Sequence, residues 1–222
     1  NARIVSNGVK GEVHTYSVTD YAESVINAAS GVYSDKAVNA VKAMLNYGTA
    51  AQQYFGYNTD NPANSIMTDD DKNMDMVGFN TYTGKLVNAD SVSGISYYGS
   101  SLVLESDTIL RNYFELSDGY NIDNYTFYVK DKDGTKNTLV PQKTDSSLYY
   151  IDISNVKAYE LADNVNIYVQ KNGDSEDKIM MLEYGAYVYA RYVDKYLDNT
   201  ALKNLMTAMY HYCNAAIEYV HE

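Results

Sequence analysis

The amino-acid sequence predicts an α+β protein: helices from both chain ends pack together, and an antiparallel β-sheet or sandwich-like region is inserted between them. Two observations lead to this prediction. Apolar residues recur with helical spacing near the chain ends but alternate with polar residues between Ile95 and Val169. In addition, an alanine- and tyrosine-rich stripe occurs in both terminal regions, and two such stripes are most easily buried against each other or against one sheet.

The change of periodicity divides the chain into three regions. Residues 1–56 and 178–222 are predicted to form a helical part that begins with an N-terminal hairpin, and residues 95–177 an antiparallel β region. Residues 57–94 are predicted to be an irregular acidic connection, because they are polar, lack a period and contain Pro62.

Capping residues mark the predicted helices. Ser17 is predicted to cap the start of a first helix, which ends at Gly31. Ser34 is predicted to cap the start of a second helix, which ends at Gly56. Residues 198–200 are predicted to cap a final helix, because their side chains can act as helix caps immediately before a periodic apolar run.

The β region is predicted from runs rich in tyrosine, valine, isoleucine and leucine, which favour strands. These runs read ISYYGSSLVLES, TILRNYFEL, YTFYVKD, SLYYIDIS and VNIYVQK. In the third run, alternation puts Tyr125, Phe127 and Val129 on one face. The following run, KIMMLEYGAYVYARYVDKYL, begins as a strand and then becomes helical.

The stripe shared by the two ends is AMLNYGTAAQQY at residues 43–54 and AMYHYCNAAIEY at residues 208–219. The shared side chains are Ala43, Met44, Tyr47, Ala50, Ala51 and Tyr54, which recur as Ala208, Met209, Tyr212, Ala215, Ala216 and Tyr219. On a helix these positions fall within an arc of roughly 120°. The pattern favours helix packing over the alternative that its tyrosines reach a ligand.

Four sequences resemble an uncharacterised module of large secreted or surface-attached proteins of anaerobic gut Firmicutes. They are MLNYGTAAQQYFGYNTDNPAN, YYGSSLVLESDTILRNYFEL, YYIDISNV and AMYHYCNAAIEY, and the resemblance spans roughly residues 12–221. It implies an extracellular setting, secreted or at the cell surface, beside neighbouring modules of a longer chain. It implies no particular chemistry, because no activity is established for such modules.

Composition excludes two classes of partner. The chain has 29 acidic and 17 basic residues with no basic cluster, so we expect no binding to nucleic acid. Its apolar runs are only a few residues long, so we expect no membrane insertion. The single cysteine, Cys213, lies in a helical pattern and is predicted to be buried.

Catalytic and metal-binding motifs are missing from the sequence. The three histidines, His14, His211 and His221, have no partner at metal-ligand spacing, and we expect no enzyme activity and no cofactor. Paired carboxylates leave a glycoside hydrolase as a remote alternative. Calcium is the most plausible ion for the acidic connection, but the spacing differs from an EF-hand loop, so a solvated loop without metal is the preferred interpretation.

Exposed tyrosines and one arginine are the candidate ligand-binding residues. They are Tyr57, Tyr97, Tyr98, Arg111, Tyr149 and Tyr150. Neighbours on a strand face opposite ways, so one tyrosine of each adjacent pair should face outward. Arg111 is expected to point outward beside an acidic residue, either Glu115 or one on a neighbouring strand.

These features together predict a non-catalytic extracellular binding or adhesion module. Its partner would be a macromolecule, either a host glycoprotein such as an immunoglobulin or mucin, or a polysaccharide, because tyrosine faces stack on sugar rings and anchor protein interfaces. The alternative is a structural spacer that only presents its neighbouring modules.

Overall fold

A computed structural model describes residues 5–6, 9–10, 17–77, 91–104, 108–131, 133–161, 165–174, 178–182, 195 and 198–222. The chain forms two compact units. The helical unit comprises Asn1–Val77 and Thr200–Glu222, and the β unit comprises Gly78–Asn199. Each unit has its own secondary structure, and the α+β prediction is confirmed.

The helical unit contains four described helices and a short hairpin. The helices are α1 (Val18–Ile26), α2 (Asp35–Phe55), the single turn α3 (Asp69–Lys72) and α4 (Thr200–Val220). Strands β1 (Val5–Ser6) and β2 (Val9–Lys10) form an antiparallel pair.

Side-chain caps fix the starts of the first two helices as the sequence predicts. The Ser17 hydroxyl accepts a hydrogen bond from the Asp20 amide at 2.9 Å, and the Ser34 hydroxyl accepts one from the Ala37 amide at 3.2 Å. Helix α2 ends at Gly56, whose φ of 66° is a left-handed conformation that glycine adopts without steric cost.

Helices α2 and α4 pack against each other through the repeated stripe. The rings of Tyr47 and Tyr212, which occupy equivalent positions in the repeat, stack with centroids 5.9 Å apart. Ala50, Ala208 and Met209 are buried. The prediction that helices from the two chain ends pack together is therefore confirmed, and Cys213 on α4 is buried as expected.

The β unit is built from two four-stranded antiparallel sheets. One sheet has the order β10–β9–β5–β6 and the other the order β3–β4–β8–β7. The strands are β3 (Ile95–Leu104), β4 (Thr108–Leu116), β5 (Tyr125–Lys130), β6 (Lys136–Leu139), β7 (Gln142–Lys143), β8 (Leu148–Ile153), β9 (Asn166–Lys171) and β10 (Lys178–Leu182).

A shared hydrophobic core joins the two sheets into a sandwich. Phe114 of β4 stacks on Phe127 of β5 with ring centroids 4.8 Å apart, and both side chains are fully buried. Tyr125 lies in the same core, and Val129 packs against it, as the alternation in this strand predicts.

The boundaries of the two units differ from the predicted regions. Residues 57–77 belong to the helical unit, although the sequence reads as a connection as far as residue 94. Strand β10 belongs to the β unit, although residues 178–182 were predicted with the helical part. It pairs with β9, so its backbone hydrogen bonds tie it to the sheet. Residues 78–90 of the predicted connection lie outside the described residues.

Residues 57–77, which we call the docked segment, are held by one side of α2. The Gln52 side chain accepts a hydrogen bond from the Ala63 amide at 2.8 Å, and the Thr49 hydroxyl accepts one from the Asn64 amide at 2.9 Å. The Asn64 side chain donates from Nδ2 to the side-chain oxygen Oδ1 of Asn46 at 2.7 Å. These polar side chains of α2 are buried because the segment's backbone covers them.

The docked segment is also held by a close approach to α2 at Gly48, by a buried apolar cluster and by a polar contact with α4. A Cβ atom added to Gly48 of α2 would lie 3.1 Å from the Cβ of Ala63, so the glycine lets the segment approach the helix. Met67 is buried in a cluster with Ala22 and Leu45, and a ring nitrogen of His211 on α4 lies 2.9 Å from the Asp75 carbonyl oxygen. The segment is irregular but tightly bound.

An ion pair makes this docking sensitive to acid. The Lys42 ammonium lies 2.7 Å from the Asp71 carboxylate, and this hydrogen bond, with another from Thr68, lowers the Asp71 pKa below its ordinary value of 3.8. A lowered folded-state pKa means that the stabilisation is complete above pH 3.8 and is lost as the pH falls through the folded pKa.

We therefore expect Asp71→Asn to weaken the acid dependence of stability below pH 3.8 while lowering stability at neutral pH. Unfolding free energies of the wild type and the variant, measured by urea titration from neutral to acidic pH, test this. Asp70→Asn, at an exposed neighbouring aspartate, is the control. Parallel curves for the wild type and Asp71→Asn would contradict the prediction.

Candidate functional site on the outer sheet face

Strand register brings a set of polar and aromatic side chains to one face of the β3–β4–β8–β7 sheet. On β4 and β8, Arg111 is paired with Asp152 and Tyr113 with Tyr150, and on β7 Gln142 is paired with Tyr150. Because side chains alternate along a strand, these five lie opposite the face that contributes Phe114 and Ile151 to the core. We call them the outer sheet face.

An arginine–aspartate pair lies at the centre of this face. Arg111 donates from Nε and Nη2 to the two carboxylate oxygens of Asp152 at 2.7 and 2.8 Å. This bidentate geometry orients both side chains. The hydrogen bonds to Asp152 raise the pKa of Arg111 above its ordinary value although partial burial acts in the opposite direction, so the guanidinium stays charged.

The two tyrosines form an aromatic surface next to this pair. The Arg111 guanidinium lies 4.1 Å from the centroid of the Tyr150 ring, within the range of a cation–π interaction. The rings of Tyr113 and Tyr150 are 6.1 Å apart and tilted by 52°. The Tyr150 hydroxyl donates to the Gln142 side chain at 2.7 Å. The Tyr150 ring is therefore fixed at both its face and its edge.

Gly99 is the β3 residue that lies beside Tyr113 in this row. It is paired with Tyr113, immediately after the irregular register between Tyr97 and Gly99. An added Cβ at Gly99 would meet no atom within 4 Å. The Tyr113 ring thus lies beside a strand position without a side chain, and the Ser101 hydroxyl of the same strand lies 3.5 Å from the Tyr113 hydroxyl.

The structure separates the six residues predicted to bind a ligand. Arg111 and Tyr150 lie together on the outer sheet face. Tyr97 and Tyr149 instead pack against the sandwich core, because each points to the opposite side of its strand, and Tyr149 stacks on Phe114. Tyr98 is 65% exposed and lies in the register shift of β3.

Tyr57, the sixth predicted residue, belongs to the docked segment of the helical unit. It is 63% exposed, and its amide donates to the Gln52 carbonyl oxygen at 3.0 Å as part of the end of α2. The Tyr57 backbone therefore contributes to the end of α2, and its side-chain ring is exposed to solvent.

Comparison with known families, curated proteins and solved structures found no match. The geometry of the outer sheet face is therefore the basis for assigning a function.

Within the described part of the chain, no group of three or more His, Cys, Asp or Glu side chains is placed to hold a metal ion. In the same residues, no helix combines the length and apolar character needed to span a membrane.

Sequence reasoning missed Tyr113, Gln142 and Asp152 as members of this face. Tyr113 lies two residues after Arg111, and Asp152 lies two residues after Tyr150, so alternation places each beside a predicted residue. That signal was available within each strand. The pairing of β4 with β8, which joins the two halves of the site, has no such local signal.

The outer sheet face combines groups suited to recognition. Two aromatic rings offer apolar surface for stacking, and the guanidinium retains N–H donors beyond the two used by Asp152. Asp152 and Gln142 supply oxygen acceptors. Fixed polar groups next to an aromatic surface suit a ligand that has both hydroxyl groups and an apolar side.

Proposed function

We propose that this chain is a non-catalytic extracellular binding module that holds a polysaccharide on its outer sheet face. The observation that carries the proposal is the row of Tyr113 and Tyr150 beside the bidentate Arg111–Asp152 pair. Sugar rings present an apolar C–H face and a rim of hydroxyls, which match an aromatic surface and charged hydrogen-bonding groups respectively.

Pre-organisation of the face supports binding of a flexible chain. The Tyr150 ring is held by Arg111 at 4.1 Å and by Gln142 at 2.7 Å, so little side-chain freedom remains to be lost when a ligand binds. The shallow face also suits an extended chain more than a small molecule, which is usually enclosed in a concave pocket.

The extracellular setting follows from the sequence resemblance and is part of the proposal. A host glycoprotein, such as an immunoglobulin or mucin, remains the alternative partner, because tyrosine and arginine are also enriched at the centres of protein interfaces.

A binding screen tests the proposed function. The protein is applied to immobilised polysaccharides, mucins and immunoglobulins, and we expect binding to at least one polysaccharide. Tyr150→Ala should weaken that binding by about 10- to 100-fold, since a central tyrosine contributes about 1.4–2.8 kcal/mol to such interfaces.

The control is Tyr120→Ala, which removes an exposed tyrosine of the β unit that lies near Lys171 instead of on the outer sheet face. It should leave polysaccharide binding unchanged. Binding to mucin or immunoglobulin that persists after their glycans are removed, without binding to any polysaccharide, would favour the host-protein alternative. Silence across all three ligand classes, or equal losses for both tyrosine variants, would contradict the proposal.

A further inference from the structure

A polar pocket of about 240 Å³ lies within the helical unit. Helix α2, helix α4 and the docked segment each contribute an amide side chain to its wall: Gln53, Asn204 and Asn64. Because liquid water occupies about 30 Å³ per molecule, the pocket has room for about eight waters or one sugar ring. Its amides converge from three elements, of which α4 is distant in sequence from the other two.

The pocket wall contains a buried hydroxyl group without a hydrogen-bond partner among the described residues. Thr207 of α4 lines the pocket and is 1% exposed, yet its Oγ1 forms no hydrogen bond with any residue that the structure describes. A buried hydroxyl without a partner is costly, so such groups are normally satisfied. Because this oxygen is itself closed off from solvent, a small rotation of the Thr207 side chain, which lines the pocket, would bring it to a ligand hydroxyl that supplies the missing partner.

The charge of the pocket selects for an acidic ligand. Lys72 lines it, and none of the described lining residues is a carboxylate, although the chain carries a net charge of −12. The Lys72 ammonium lies 3.6 Å from Asp69, whose side chain is fully exposed. Such an exposed pair is weak, so the ammonium remains able to bind a ligand carboxylate.

An apolar wall completes the recognition surface. Met74 and Ala50 line the pocket beside the polar groups. A thioether side chain adapts its shape to a neighbouring apolar surface. The pocket therefore offers one cation, several amides, one unpaired hydroxyl and one apolar side.

We propose that this pocket binds a single sugar acid, a ring-sized hydroxylated carboxylate such as a hexuronic acid. Lys72 binds the carboxylate, the amides of Asn64 and Asn204 and the Thr207 hydroxyl bind ring hydroxyls, and the Met74 side chain covers the C–H face of the ring. This site is separate from the proposed function of the outer sheet face and does not depend on it.

Titration with sugar acids and their neutral counterparts tests the proposal. The probes are D-galacturonate and D-glucuronate, with D-galactose and D-glucose as controls of the same ring size. We expect the side-chain amide NMR signals of Asn64 and Asn204 to shift with at least one acid. We also expect affinity for the matching neutral sugar to be at least tenfold weaker. No shift with either acid, or equal affinity for acid and neutral sugar, overturns the proposal.

Two variants separate the assigned roles. Lys72→Met removes the charge but keeps the length, and it should abolish the preference for the acid over the neutral sugar. Thr207→Val keeps the shape and removes the hydroxyl, so it should weaken acid binding at least fivefold. Because the hydroxyl is unpaired without ligand, Thr207→Val should also leave the thermal unfolding temperature of the ligand-free protein unchanged or raised.

The outcomes of the Thr207→Val experiment are decisive in either direction. Weaker binding with unchanged or higher thermal stability supports the assignment. A lower unfolding temperature shows that the hydroxyl has a structural partner, and unchanged affinity shows that it does not contact the ligand; either result overturns its role. Shifts at the Tyr113 and Tyr150 ring signals without shifts at Asn64 and Asn204 overturn the pocket site and assign the acid to the outer sheet face.

Discussion

Phe127→Ala is expected to lower the free energy of unfolding of the β unit by about 3–5 kcal/mol. Phe127 is fully buried and stacks on Phe114 across the two sheets at 4.8 Å. Removing the ring loses apolar burial and leaves a cavity that strands of two paired sheets cannot easily close. Because the free energy of unfolding of a domain is only about 5–15 kcal/mol, this single change removes a large fraction of the stability of the β unit.

Urea unfolding followed by circular dichroism measures this loss. Thr126→Ala is the matched control, because Thr126 is the exposed neighbour on the same strand and faces away from the core. It should change stability by no more than about 0.5–1 kcal/mol. A loss below about 1 kcal/mol for Phe127→Ala would mean that the two sheets do not share the core described above.

The helical stripes are the part of the fold that the sequence predicts best. Tyr47 and Tyr212 occupy equivalent positions in a repeat, and they meet as a stacked pair at 5.9 Å. The prediction succeeds because burial of an apolar stripe has one physical solution, contact with another apolar surface. Identical spacing at both chain ends therefore predicts two buried helix faces, and the structure shows that they are buried against each other.

The docked segment shows where polarity misleads. Asn46, Thr49 and Gln52 lie on the polar side of α2, yet all three are buried by residues 57–77. An amide or hydroxyl bonds equally well to water and to a protein backbone, so a polar residue type does not specify which of them covers it. The acidic residues and the lack of a period predicted that residues 57–77 are part of a connection. In the structure, hydrogen bonds between α2 side chains and the backbone of this segment make it part of the helical unit.

The sequence predicts which residues each strand contributes to the outer sheet face, but it does not predict which strands are paired. Alternation assigns Arg111 and Tyr113 to one side of β4, and Tyr150 and Asp152 to one side of β8. The bond between Arg111 and Asp152 joins residues 41 positions apart, and no local pattern specifies which strands pair. The expectation that Arg111 lies beside an acid was confirmed, with Asp152 in place of the nearer Glu115.

Asn46→Ala is expected to lower the free energy of unfolding of the helical unit by about 2–4 kcal/mol. The Asn46 amide uses both ends: Nδ2 donates to the Asp71 carbonyl oxygen at 2.9 Å, and Oδ1 accepts from Asn64 at 2.7 Å. Alanine leaves both partners without this side chain, and an unpaired buried polar group costs about 1–3 kcal/mol. The loss should release the docked segment locally before α2 and α4 separate.

Amide hydrogen exchange resolves this local release. The amides of Ala63 and Asn64 bond to side chains of α2, so both should exchange faster in Asn46→Ala, whereas core amides of α2 should change less. Asn39→Ala is the control, because Asn39 is exposed on the same helix and carries the same gain in helix propensity. Comparison of the two variants cancels that gain and isolates the docking contribution. If Ala63 and Asn64 exchange at the wild-type rate in Asn46→Ala, the other contacts hold the segment without Asn46. These contacts include the hydrogen bonds to Gln52 and Thr49, the Met67 cluster and the Lys42–Asp71 pair.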